Sequence, residues 1–137
     1  MIMMIKAWLV TTVVFLVGDI VWLACVRNTF FVSKIKHLMH MTEQGITINY
    51  VTALLAYLVV SAGITWFVIM PLLHAPYSTI FLQGALFGFC IYGVYEFTNH
   101  AILNGWSLSF LTADLIWGTV WCGVMSVIGV ALLRYSL

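Results

Sequence analysis

Four long apolar runs dominate this chain, and their length limits what it can become. They cover about residues 7–26, 48–70, 79–99 and 108–133. A helix rises about 1.5 Å per residue, so roughly 20 residues cross the ~30 Å hydrocarbon core of a bilayer. Each run has that length. Inside lipid the backbone must satisfy its own hydrogen bonds, which leaves helices or closed barrels. Barrel strands would read as short alternating segments, and none are seen. The expectation is an all-α membrane protein: one integral domain, residues 1–137, forming a bundle of four transmembrane helices. Composition agrees. Only 7% of residues are charged and 64% are hydrophobic, whereas soluble domains carry about 25% charge. Lipid bilayer is thus the expected environment.

Other classes fall away quickly. A formal net charge of +1 provides no electrostatic footprint for nucleic acid. Cys25, Cys90 and Cys122 lie in apolar runs without a C-x-x-C pair, so neither a disulfide framework nor a thiolate metal site is expected. Lys6 ahead of an apolar run has the look of a signal peptide. The run is of spanning length, however, and contains Asp19 and Trp22, so it is read as a retained first span.

The connections differ in kind. Those near Pro71–Tyr77 and Asn104–Ser107 are tight turns, with Trp106 expected at headgroup depth. The first, residues 27–47, is long and holds Arg27, Lys34 and Lys36. Phe31, Ile35, Leu38 and Met39 recur there at helical spacing beside Lys34, Lys36, His37 and His40. This predicts a short amphipathic helix over Phe30–Met41, lying in the interface. The face carrying the first and third connections is called side B. It has one basic residue more than the face with Lys6 and Arg134, so the positive-inside rule leans toward a cytoplasmic side B.

Chemistry concentrates in three carboxylates. Asp19, Glu96 and Asp114 all lie within spans, where one charged residue costs about 2.5–3.5 kcal/mol to insert. Asp19 falls about seven residues before the side-B end of its span. Glu96 is in the last side-B turn of span three, and Asp114 is within two turns of the side-B start of span four. All three therefore belong to one half of the membrane. Asp19 with Trp22 and Asp114 with Trp117 repeat an Asp-x-x-Trp pattern, which sets each indole on the face of its own carboxylate. Gly84, Gly88, Tyr92, Glu96 and His100 step by four along span three, and the Gly-x-x-x-Gly part invites a close helix neighbour. Asp114, Gly118, Cys122 and Ser126 form a similar stripe. Tyr50, Tyr57, Ser61 and Thr65 on span two offer hydroxyls to the acids.

The candidate binding or proton-relay residues are Asp19, Trp22, Tyr92, Glu96, Asn99, Asp114 and Trp117. Clustered carboxylates cannot all ionise cheaply in a low dielectric, so at least one is expected to hold a proton at neutral pH. Three functions compete. The first is binding or translocation of a small polar solute or protons, which in so small a chain calls for a homo-oligomer. The second is an accessory subunit of a larger membrane complex, which would turn its polar stripes outward. The third is a membrane-embedded enzyme on a lipid-like substrate, with carboxylates as acid and base. Polar residues acting only as interhelical glue are the bland alternative. Glu96 with His100 lacks a second Glu/His pair or an H-E-x-x-H, so no metal, cofactor or catalytic residue is assigned.

Tyr92-Gly93-Val94-Tyr95-Glu96-Phe97-Thr98-Asn99-His100-Ala101, then Gly105-Trp106, then Asp114-Leu115-Ile116-Trp117-Gly118 resemble the signature of an uncharacterised family of small predicted multi-pass membrane proteins, a domain of unknown function. Asp19 to Trp22 and His37-Leu38 add to the likeness, which extends over nearly the whole chain. Glu96 stands where that family's pattern has Asp, so the carboxyl reaches one methylene further. The resemblance implies four spans and a bacterial or virus-like origin, hence a bacterial inner membrane or its equivalent. It implies no activity.

Overall fold

The computed structural model describes residues 1–26, 32–43 and 45–135. Four helices are long and apolar enough to cross a membrane. Helix α1 is Ile2–Val26, and the short α2 is Val32–Ile35. Helix α3, Tyr50–Ile64, continues as a π-helical turn over Thr65–Ile69, and α4 (Tyr77–Ile102) and α5 (Leu108–Tyr135) complete the chain. Thus α1 begins several residues ahead of the expected start, and α4 extends beyond its apolar run at both ends.

Local chemistry sets the element ends. Asn49 caps α3, its side chain accepting from the N–H groups of Val51 and Thr52, both at 3.2 Å, which satisfies donors that the first turn leaves free. At the other end Pro71 has no N–H, and its ring would collide with the carbonyl four residues back. The preceding turn widens, and Met70 donates to Thr65 O across five residues at 3.0 Å. Gly105 has φ +81° between α4 and α5, a conformation glycine takes without penalty.

The helices run up, down, up, down. Helix α1 packs on both α3 and α5, α5 packs along α4, and α3 reaches α4 mainly through the π turn. The α4–α5 contact is the tightest. A side chain at Gly84 would run into Ser126 and the Cys122 carbonyl, and one at Gly88 into the Gly118 carbonyl and Cys122. Without Cβ atoms the two backbones approach closely, which is how helices gain contact where lipid offers no hydrophobic drive. Between α1 and α3, Thr12 and Ser61 share a hydroxyl–hydroxyl bond of 2.7 Å, and the Trp8 indole donates to Ser61 Oγ and Leu58 O, each at 3.1 Å. Arg134 is more than an end anchor. Its guanidinium donates to Leu73 O at 2.7 Å and Ala75 O at 2.6 Å and lies over the Tyr77 ring. It therefore ties the end of α5 to the α3–α4 turn.

The first connection departs from expectation. Its helical part is α2 plus a 3₁₀ turn over Lys36–Leu38, after which Met39 is extended. Met41–Thr42 then pairs antiparallel with Gly45–Ile46. The apolar spacing runs to Met39 and predicts a helix over Phe30–Met41, but a helix so short is marginal by itself, and the hairpin takes the backbone hydrogen bonds instead. Arg27, Phe30 and Phe31 lie outside the described residues. Ile35 packs on Trp106, Phe110 and Leu111, so this connection rests on the side-B end of the α4–α5 pair.

Candidate functional site

Because α1 and α5 are antiparallel neighbours, Asp19 and Trp117 arrive at the same level. The Trp117 indole N–H donates to Asp19 Oδ1 at 3.2 Å. The indole of the second Asp-x-x-Trp repeat therefore serves the carboxyl of the first, across helices. Trp22 does not serve Asp19; it stacks on Trp117 with centroids 4.3 Å apart and planes 5° from parallel. Trp121 in turn lies nearly parallel to Trp117, at 5.4 Å and 7°. Its ring occupies the space that a side chain at Gly18 would need.

Asp19, Trp22, Tyr92, Asp114 and Trp117 line one cavity of about 200 Å³, together with Leu23 and Tyr57. All four long helices contribute. Tyr57 lies within hydrogen-bonding reach of Asp19. A second cavity of about 280 Å³ shares Asp19, Tyr57, Tyr92 and Asp114 and extends past Phe15, Ala56, Val60, Ile91 and Tyr95. Tyr92 faces the site because its ring lies flat over Gly118, where any Cβ would overlap it.

Glu96 sits behind this cavity, fully buried. Its Oε2 accepts from the Trp106 indole N–H at 2.8 Å. No donor faces Oε1, but the Asp114 carboxyl lies within hydrogen-bonding reach. An ionised carboxylate only accepts, so a hydrogen bond between these two acids needs a proton on one of them. Trp106, in the turn between the two spans, is 8% exposed and packs edge-on against Tyr95 and Phe110. Its local signal is the turn itself. Gly105 reverses the chain, and His100 Nδ1 bonds Trp106 O at 3.0 Å, which folds the indole back over the last turn of α4.

Asn99 stands apart. It is half-buried and within hydrogen-bonding reach of Tyr95 rather than of an acid, one turn beyond the cavity. Of the hydroxyls on α3, only Tyr57 joins the site. Ser61 serves α1, the Thr65 hydroxyl is buried without a hydrogen-bond partner, and Tyr50 is 78% exposed.

The sequence profile of a family described as "Predicted membrane protein (DUF2177)" matches residues 4–131. No curated protein and no solved structure matches the chain.

Proposed function

For a chain that belongs to the DUF2177 family of predicted membrane proteins, we propose an intramembrane site that binds a small polar solute and holds a proton. The observation carrying this reading is the cavity on which all four long helices converge, lined by Asp19, Asp114, Tyr57 and Tyr92. A space of about 200 Å³ is smaller than a pocket for a drug-sized ligand, roughly 300–1,000 Å³. It suits a few waters or a compact solute, since one water takes about 30 Å³. Two acids and two phenols favour a cation or a donor-rich group. The Glu96–Asp114 pair holds one proton between its carboxyls, with Trp106 fixing the far oxygen of Glu96. A solute cation arriving at Asp114 competes with that proton, which is the elementary step of proton-coupled binding or translocation.

Asp19 and Glu96 are buried and Asp114 is half-buried. That favours a binding site over an accessory subunit, whose polar stripes would face its partners. Infrared spectroscopy of the protein in lipid tests the reading. A protonated-carboxyl band is expected, shifting on addition of methylammonium and vanishing in the Asp19→Asn, Glu96→Gln, Asp114→Asn triple variant. A band that ignores methylammonium, or that survives in the triple variant, overturns it.

A further inference from the structure

The second cavity points to where a ligand enters. Its polar end is Asp19, Asp114, Tyr57 and Tyr92, and its outer wall is Ala56 and Val60 of α3 with Ile91 and Tyr95 of α4. Ala56 and Tyr95 are exposed on the outer face of the bundle. That face lies within spans, so it meets hydrocarbon rather than water. The gap exists because α3 lies against α4 mainly through Thr65–Ile69. Phe87 wedges against Phe67, with centroids 6.4 Å apart, and fills the space beside Gly63. The helices are thus joined on the side away from the carboxylates and part toward side B, at the level of Asp19 and Asp114.

We infer that the ligand of the carboxylate site is an amphiphile with a protonated amine headgroup, entering sideways from the bilayer between α3 and α4. This rests on the binding reading above and adds the substrate class and the route. The headgroup assignment follows from charge: the cavity is lined by two carboxyls and three phenols and by no Lys, Arg or His. The tail assignment follows from the mouth. Alkyl chain left in the gap between Ala56, Val60 and Ile91 stays against apolar side chains and lipid. It gains nothing from the hydrophobic effect, which operates only against water, so selection falls on the headgroup.

The test uses the full chain in lipid nanodiscs with octadecylamine bearing a mid-chain diazirine, and the matching octadecanol as control. Methylammonium binding is followed in parallel by nuclear magnetic resonance. Photolysis should place amine-specific adducts on residues 53–60 and 91–95, with octadecanol labelling there far weaker. Ala56→Trp and, separately, Val60→Trp fill the mouth. Each should cut amine labelling about tenfold, a change of about 1.4 kcal/mol, and weaken methylammonium binding far less. Asp19→Asn with Asp114→Asn should abolish both signals. Adducts elsewhere, equal labelling by octadecanol, or labelling indifferent to both tryptophans would overturn the lateral route while methylammonium binding keeps the site. Loss of all amine binding in the unmodified chain would sink the site itself.

Discussion

At the scale of single residues, the fate of each carboxyl depends on which donor reaches it. Glu96 is fully buried and retains one indole donor. Trp106→Phe keeps the ring's packing on Tyr95 and Phe110 but leaves Oε2 without a partner. Losing one member of a buried pair costs about 1–3 kcal/mol. Trp106→Phe should therefore unfold that much more easily in a denaturant titration in mixed micelles, and Glu96→Leu, combined with it, should recover part of the loss. A Trp106→Phe protein as stable as the parent would mean the hydrogen bond contributes nothing. This is also where the sequence is hardest to read. Depth along a helix is fixed by residue rise, so Asp19, Glu96 and Asp114 could be assigned to one half of the membrane. Rotation of one helix about its neighbour is not fixed in that way. Trp22 and Trp117 each lie one turn from an acid on their own helix, yet it is Trp117 that serves Asp19, from across the bundle. Trp106 follows the same logic: its place at a span end says nothing about its neighbours, and only the turn at Gly105 sets it against Glu96.

At the scale of elements, small residues set the spacing and large ones exploit it. Gly118 is the clearest case, because Tyr92 occupies the place of its absent side chain. Gly118→Ala should overpack the α4–α5 contact at a cost of about 1–3 kcal/mol and turn the Tyr92 ring out of the cavity. Denaturant titration in mixed micelles should show the first effect. A methylammonium titration of the refolded variant should show weakened binding as the second. Normal stability with normal binding would refute the claim that this glycine positions Tyr92. The Gly-x-x-x-Gly stripe was legible because the reason for it, close approach, depends on one helix alone. The connection after α1 was less so. Apolar residues at helical spacing promised a helix to Met41, but spacing says nothing about the competing hairpin around Gly45, which ends the helical part at Leu38.

At the scale of the whole molecule, four antiparallel helices bring the start of α1 and the end of α5 to one face of the membrane. Reporter fusions at residue 1 and residue 137 should report the same compartment, and opposite compartments would require an odd number of spans. This part of the fold was the most legible, because it needs only the length of apolar runs and the rule that backbone in lipid must bond to itself. The way the four helices close on one another was not legible. It depends on the π turn ahead of Pro71, which lets α3 meet α4 at one end and leave it at the other.

The stack formed by Trp22, Trp117 and Trp121 joins α1 to α5 through three nearly parallel indoles. Nearly parallel rings with centroids 4.3 and 5.4 Å apart do not absorb light independently. Their transition dipoles couple, and an excitation is shared along the column. Two of the three rings belong to α5 and are already neighbours on it, whereas Trp22 joins only when α1 docks. The chain therefore carries a built-in optical signature of its own assembly: a coupled chromophore whose electronic states change when the first helix finds the last.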